Sequence, residues 1–134
     1  MDGSYKRGWN SKQLNVLGGD LEPCSILKDE NEIVTGFYRD NCCNTGPDDY
    51  GLHTVCCIMT KSFLTFSKSV GNDLSTPISE YNFKGLREGD HWCLCAARWQ
   101  EAFEAGKAPK VILKSTNIAA ISVVKLEDLK KYSA

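Results

Sequence analysis

Cysteine is the residue type with the most chemical potential in this chain, and its seven copies are clustered rather than scattered. Such a concentration of thiols predicts a metal site, a redox couple or a buried apolar core, because cysteine serves all three purposes. The odd count excludes complete pairing within one chain. The cysteines form one single position, two adjacent pairs and one pair with a one-residue spacer: Cys24, Cys42-Cys43, Cys56-Cys57 and Cys93-Leu94-Cys95.

The spacing of Cys93 and Cys95 suits two sulfur ligands on one strand. Residues i and i+2 of a strand point to the same face, so both thiols could grip one metal ion or reach disulfide distance. The alternative is that both are small residues facing a core, since cysteine is often buried. Soft thiolates select zinc, copper(I) or iron–sulfur clusters, and zinc is the preferred hypothesis. The candidate metal ligands are Cys24, Cys42, Cys43, Cys56, Cys93 and Cys95.

A catalytic thiol is a different hypothesis, for which the candidates are Cys42, Cys43 and His53. The adjacent cysteines lie in a segment rich in Gly, Asn and Pro, where one thiol could face solvent and Arg39 could stabilise its thiolate. His53 could act as the base if a third group oriented its ring. A histidine at the start of a strand is more often structural. The carboxylates available as the third group are Asp48, Asp49 and Asp73.

The segments that would position these residues are short. The run over 53–59 is apolar and β-branched, which predicts a strand with His53, Val55 and Cys57 on one face. Thr60 is a good N-cap for a helix that ends near Gly71.

Further short elements follow along the chain. A strand over 92–95 leads into a helix over 96–105, which Gly106 ends. An irregular alternation of short strands and helices predicts an α+β fold. We expect a single compact domain with a small mixed or antiparallel sheet, three or four short helices and long ordered loops. The other predicted elements are strands over 14–17, 111–113 and 122–124, a helix over 117–121 capped by Thr116, and a final helix from Leu126.

Composition and charge limit the classes of partner. Residues 1–13 are polar and predicted to be loose, and residues 14–134 are predicted to form the α+β domain. The formal charge is −1 and the pI about 6.1, so no nucleic-acid partner is expected. No secretory leader or membrane-spanning run is evident, so we expect a soluble, cytoplasmic protein without a membrane partner. Thiols stay reduced in the cytoplasm, so we expect free or metal-bound cysteines rather than disulfides.

Several longer strings make the chain similar to a known family. They lie at 17–24, 35–40, 42–47, 51–56, 71–77 and 89–99. In these strings the chain resembles domain of unknown function 2237, a mainly bacterial family, from about Asn15 to the C-terminus. The resemblance implies a small α+β protein and assigns no activity. Cys57 and His91 depart from the family pattern, which has a small apolar residue and an arginine there, so the resemblance does not support them as ligands.

Three functions are predicted as alternatives, and whether the protein is an enzyme stays open. The first is a cysteine-rich thiol site that binds a metal such as zinc or takes part in thiol redox chemistry. The second is a non-enzymatic binding module with buried structural cysteines, whose loops 36–52 and 72–90 would contact a small molecule or a protein. The third is a Cys–His nucleophilic enzyme. The aromatic residues of the two loops are Tyr38, Tyr50, Tyr81 and Phe83.

Overall fold

A computed structural model describes residues 13–26 and 33–134. The predicted loose segment 1–13 lies outside the described residues except for Gln13. The Gln13 side chain donates to the Thr45 carbonyl and accepts from the Thr45 amide, both at 3.0 Å. The described part of the chain is therefore anchored at Gln13, where it begins, and the predicted domain boundary at residue 14 stays a prediction.

A three-stranded antiparallel sheet is the centre of the described part, with the strand His53–Ile58 between the strands His91–Cys95 and Lys110–Val111. Short helices alternate with its strands, which confirms the predicted α+β class. The strands and α-helices are β1 (His53–Ile58), α1 (Lys61–Ser69), β2 (His91–Cys95), α2 (Ala96–Glu104), β3 (Lys110–Val111) and α3 (Leu126–Lys131). Single 3-10 turns lie at Ser79–Tyr81, Leu113–Ser115 and Ile118–Ser122.

Helices α1 and α2 begin where the sequence predicts but are capped differently. Thr60 Oγ1 accepts a hydrogen bond from the Phe63 amide at 3.1 Å, as expected of an N-cap. Helix α2 follows β2 without a loop, so Cys95 is both the last strand residue and the N-cap of the helix. The Cys95 side chain makes no capping hydrogen bond.

The pairing of β1 with β2 decides which side chains share a face of the sheet. Cys56 lies opposite Cys93, and Cys57 lies opposite Trp92. The register shifts between His53 and Val55, as it does when a bulge places an extra residue in one strand. The prediction that His53 shares a face with Val55 and Cys57 is therefore wrong. His53 lies opposite Cys95, which alternation places on the same face as Cys93.

The two faces of the sheet bury different clusters. On the helical side an apolar core includes Val55, Cys57, Phe63, Leu94 and Trp99, all 0 or 1% exposed. A separate buried cluster contains four cysteines with Ile112 packed against it. The loop segments 13–26 and 33–52 supply two of these cysteines, so this second face is covered by loops rather than helices.

Several predicted elements between α2 and α3 differ from the structure. The strand predicted over 111–113 is the two-residue β3, because the chain turns into a 3-10 helix at Leu113. Asn117 rather than Thr116 caps the next turn, accepting from the Ala119 amide at 2.9 Å. The strand predicted over 122–124 is wrong, since Ser122 is the last residue of the 3-10 helix that begins at Ile118.

The first predicted strand, over 14–17, is reduced to two isolated bridges. Leu14 pairs with Asp20, and Asn15 pairs with Asn117.

Candidate functional site

Four cysteines that are far apart in the sequence meet in one buried cluster. Cys24 is bonded to Cys56, and Cys43 is bonded to Cys93. The sulfur atoms of Cys24, Cys43 and Cys93 all lie within 4.8 Å of one another. Each of the four residues is at most 2% exposed. The structure therefore brings together four of the six candidate ligands, in the form of two neighbouring disulfides.

Backbone pairing and polar anchors hold the cluster in place. Cys56 and Cys93 face each other across β1 and β2. The Cys56 amide donates to Thr116 Oγ1 at 3.1 Å, and the Cys93 amide donates to Thr35 Oγ1 at 2.8 Å. Because Thr35 and Thr116 are themselves 0% exposed, both anchoring hydrogen bonds are shielded from water.

The two loop cysteines are held by their backbones. The Cys24 amide donates to the Asn41 carbonyl at 2.8 Å, and the Cys24 carbonyl accepts from His91 Nδ1 at 2.6 Å. Asn117 Nδ2 donates to the Cys43 carbonyl at 3.1 Å. His91 thus serves the site by fixing the backbone of Cys24, a role that does not require it to bind a metal.

The loop that carries Cys43 follows a strained path. Arg39 and Asn41 have φ angles of 58° and 64°, in the left-handed region that few non-glycine residues adopt. Asn41 Oδ1 accepts from the Thr35 amide at 3.0 Å, which stabilises this turn. Gly36 has φ of 100°, and a Cβ there would lie 2.5 Å from the Cys42 carbonyl oxygen. The bonded loop cysteine therefore depends on a tight turn just before it.

The remaining cysteines, Cys42, Cys57 and Cys95, are free thiols outside the cluster. Burial and then the nearby Asp40 carboxylate raise the pKa of the Cys42 thiol, so this residue is a poor nucleophile at neutral pH. Arg39 does not stabilise it as expected, because its guanidinium donates to the Gly36 carbonyl at 2.6 Å and lies over the Trp92 ring.

The other cysteines differ in how available their sulfur atoms are. Burial raises the pKa of Cys57 well above its usual range, consistent with a core residue. Cys43, a predicted catalytic candidate, has no thiol to offer while it is bonded to Cys93. Cys95 is half-buried and lies at the end of β2.

The third catalytic candidate, His53, has the orienting partner that the hypothesis required. Its Nδ1 donates to Asp49 Oδ1 at 2.6 Å. The Asp49 side chain is fully buried, whereas that of His53 is 39% exposed. Asp49 Oδ2 accepts from Thr45 Oγ1 and from the His53 amide, both at 2.9 Å. The Phe37 ring stacks on the imidazole with centroids 5.9 Å apart, so the orientation of His53 is fixed from several sides.

The other two carboxylates proposed as orienting groups lie elsewhere. Asp48 is exposed. Asp73 accepts from Thr76 Oγ1 at 2.6 Å and from the Ser75 amide at 3.0 Å, which makes it a turn-forming residue. Asp49 differs from the adjacent Asp48 in being buried, and the sequence does not reveal this difference.

The family comparison agrees with the sequence motifs. The profile of a family described as an uncharacterized protein conserved in bacteria, DUF2237, matches residues 14–133. The chain belongs to this family. The match covers nearly all of the chain, including the whole cluster and the Asp49–His53 pair, and it confirms the resemblance seen in the motifs. None of the curated proteins compared with the chain matches it.

This DUF2237 chain differs from the sequence expectation in the state of its cysteines. Free or metal-bound thiols were expected, whereas four of the seven are disulfide-bonded. The Cα atoms of the bonded pairs are 5.6 and 5.3 Å apart, within the usual range for a disulfide. The expectation rested on an assumed reducing compartment, which sequence composition alone does not establish.

The predicted binding loops of this family member do expose aromatic side chains. Tyr50 is 93% exposed and Tyr81 is 80% exposed, whereas Tyr38 is 37% exposed. Phe83 packs against Trp92 with ring centroids 5.8 Å apart. Across residues 13–26 and 33–134, no helix has both the length and the apolar character needed to cross a membrane.

Proposed function

We propose that this protein is a thiol–disulfide redox protein whose working unit is the four-cysteine cluster. The observation that carries the proposal is that two disulfides from four distant segments share one buried cluster, with three of their sulfur atoms within 4.8 Å of one another. Sulfur atoms this close can exchange partners by attack of a thiolate on a neighbouring disulfide. The cluster would therefore accept or donate electrons as one unit.

The position of the cluster favours a functional over a purely stabilising role. Disulfides are most needed in small secreted domains that cannot build an apolar core. Here the core around Phe63 and Trp99 lies on the opposite face of the sheet and contains none of the bonded cysteines. In the cytoplasm, where we propose that the protein acts, disulfides are usually transient and catalytic or redox-sensing.

Reduction would act on the two covering segments. The Cys24–Cys56 bond ties segment 13–26 to β1, and the Cys43–Cys93 bond ties segment 33–52 to β2. Opening both bonds would leave these segments held by hydrogen bonds and by the apolar contacts of Val16, Ile33 and Leu52 with the core. Such a release gives a redox change a structural consequence at the protein surface.

A thiol count in graded redox buffers tests the proposal. The protein is equilibrated with mixtures of reduced and oxidised glutathione, quenched in acid, unfolded and alkylated, and each cysteine is followed by mass spectrometry. We expect three reactive thiols in oxidising buffer and seven in reducing buffer, with a reversible transition between them. Seven thiols at every ratio, or four that never become reactive in the folded protein, would overturn the redox function.

Zinc binding by the reduced cluster is the second candidate, supported by the closeness of the Cys24, Cys43 and Cys93 sulfurs. Bonded sulfurs cannot act as thiolate ligands, so a metal requires both disulfides to be opened first. Elemental analysis of protein purified under reducing conditions separates the two functions. One tightly held zinc per chain that blocks disulfide formation would favour the metal centre. A binding role for loops 36–52 and 72–90 remains a further prediction, favoured by the exposed Tyr50 and Tyr81.

A further inference from the structure

The burial of the cluster creates a problem of access for any redox partner. The four bonded cysteines are at most 2% exposed, so an external thiol cannot attack their sulfurs directly. Cys95 is a free, half-buried thiol two residues beyond Cys93 on β2. Alternation along the strand places both side chains on the same face of the sheet. Cys95 is therefore the free thiol on the strand that leads out of the cluster.

A positioned histidine faces Cys95 across the sheet. His53 and Cys95 are cross-strand partners, and directly opposite residues in antiparallel strands have Cβ atoms about 4.5–5.5 Å apart. Because Nδ1 of His53 is hydrogen-bonded to the buried Asp49, Nε2 is the ring nitrogen left to take a proton. A thiol, an imidazole and a carboxylate that orients the imidazole are the groups that activate cysteine nucleophiles, and cross-strand pairing places His53 opposite Cys95.

The start of α2 leaves the Cys95 side chain without a capping role. This residue is the N-cap of a nine-residue helix, yet its side chain does not cap the first-turn amides. Thr60 does cap the first turn of α1, which has the same length. The Cys95 sulfur is therefore not engaged in capping the helix that follows it.

We propose that Cys95 is the exchange thiol that links the buried Cys43–Cys93 disulfide to thiols outside the protein. His53 acts as its base, and low-molecular-weight thiols are the external substrate. The inference rests on the redox function proposed above and extends it by naming the reacting residues and the substrate class.

The exchange is balanced within the protein. Cys95 gives its proton to His53, and its thiolate attacks the Cys43 sulfur. A Cys43–Cys95 bond forms, the Cys43–Cys93 bond breaks, and Cys93 leaves as a thiolate that takes the proton from His53. One external thiol then attacks Cys95, releasing Cys43 as a thiol and forming a mixed disulfide. A second external thiol attacks this mixed disulfide and releases Cys95 as a thiol. Two external thiols have then become one small disulfide, and Cys43 and Cys93 have become thiols.

Chain geometry favours Cys43 over Cys93 as the new partner. Residues two apart on a strand have Cα atoms about 6.6 Å apart, near the upper end of the about 4.4–6.8 Å range seen in disulfides. Cys43 comes from the covering loop and is not bound by that spacing. Cys42 is the competing candidate for the exchange thiol because it precedes Cys43 directly, but burial and Asp40 disfavour its thiolate.

Trapping the exchanged disulfide is the first test. In the variant Cys93→Ser, Cys43 loses its partner while Cys95 and His53 are unchanged. After oxidation with glutathione disulfide we expect a Cys43–Cys95 cross-link in peptide maps, and the same cross-link in the double variant Cys42→Ser/Cys93→Ser. Pairing of Cys43 with Cys42, or no cross-link in a protein whose near-ultraviolet dichroism is native, would overturn the inference.

Kinetics separate the exchange thiol from the redox function itself. The rate at which glutathione opens the Cys43–Cys93 bond in the intact protein is followed by acid quench and mass spectrometry. Cys95→Ser should slow it by at least about tenfold, since general-base and nucleophilic steps typically contribute more than that, whereas Cys42→Ser should not. Equal rates in Cys95→Ser and the wild type would refute the role of Cys95 but not the proposed redox function. Failure of the wild type to be reduced would refute both proposals.

The role of His53 is read from the reactivity of Cys95. Iodoacetamide should label Cys95 faster than Cys42 in the wild type at neutral pH. His53→Gln should slow labelling of Cys95 and leave Cys42 unchanged, which a general loosening of the structure would not do. Unchanged labelling of Cys95 in that variant would remove His53 from the mechanism.

Discussion

Loss of the Cys43–Cys93 bond should have a large and calculable effect on stability. The bond closes a loop with a sequence separation of 50 residues. In the chain-entropy treatment, that closure raises the free energy of unfolding by about 4 kcal/mol at 25 °C. The Cys24–Cys56 bond has a separation of 32, which lowers the figure by only about 0.4 kcal/mol. The two bonds should therefore stabilise the protein almost equally.

The two contributions should not add. The closed loops are interleaved, since residues 43–56 belong to both. Once one bond is present, the second closes a chain that is already restricted. We therefore expect removal of both bonds to destabilise by less than the sum of about 8 kcal/mol obtained from the single loops.

Urea unfolding measures these effects directly. The variant Cys43→Ala/Cys93→Ala is compared with the oxidised wild type, the wild type in excess reductant, and Cys42→Ala as a variant that removes only a free thiol. Reductant should lower the free energy of unfolding equally in the wild type and in Cys42→Ala. It should lower it by less in Cys43→Ala/Cys93→Ala, which has only one of the two bonds to lose. If the wild type lost under about 1 kcal/mol in reductant, the bonds would not constrain the unfolded chain as the loop lengths require.

Three further effects follow from single contacts. Thr60→Ala should lower the free energy of unfolding by about 1 kcal/mol in urea titrations, because an amide of α1 loses its cap. Burial and then Asp40 raise the Cys42 pKa, so Asp40→Asn should speed alkylation of Cys42 in timed mass spectrometry. The hydrogen bond from the Thr76 hydroxyl lowers the pKa of Asp73. The ionised Asp73 carboxylate therefore stabilises the folded state above its pKa in the unfolded chain, and this stabilisation is lost as pH falls through its pKa in the folded protein. Asp73→Asn should thus be less stable than the wild type at pH 7 in thermal melts, and the difference should vanish in acid.

The elements with strong local signals could be predicted from the sequence. The β-branched run before Thr60 and the helical spacing after it specify β1 and α1, because alternation and capping are local effects. Local rules were less informative between Lys110 and Val124, where the chain folds into short 3-10 helices. There the Thr116 hydroxyl pairs with the Cys56 amide and the Ile112 carbonyl instead of capping a helix. Such long-range demands leave no mark in a short window of sequence.

The site was predictable in its residue types but not in its pairing. Which cysteines bond depends on the register that sets Cys56 opposite Cys93 and on the path of the covering loop. The sequence separations of 32 and 50 residues give no indication of either. The bulge after His53 was also hidden, and it moves the imidazole from the apolar face to the face of the thiols. One inserted residue thereby decides whether His53 belongs to the core or to the site.

The division of the sheet into two faces keeps the apolar core apart from the cluster for which we propose redox activity. Side chains of a strand alternate between faces, so Cys57 lies in the core of the helical face while its neighbour Cys56 lies in the cluster. The two clusters share no residue, although Val16 of segment 13–26 packs in the core of the helical face. If the bonds open as we propose, the change should reach segments 13–26 and 33–52 first, because both bonds end in these segments. The adjacent Cys56-Cys57 pair, which seemed in the sequence to be one motif, is two residues with separate tasks.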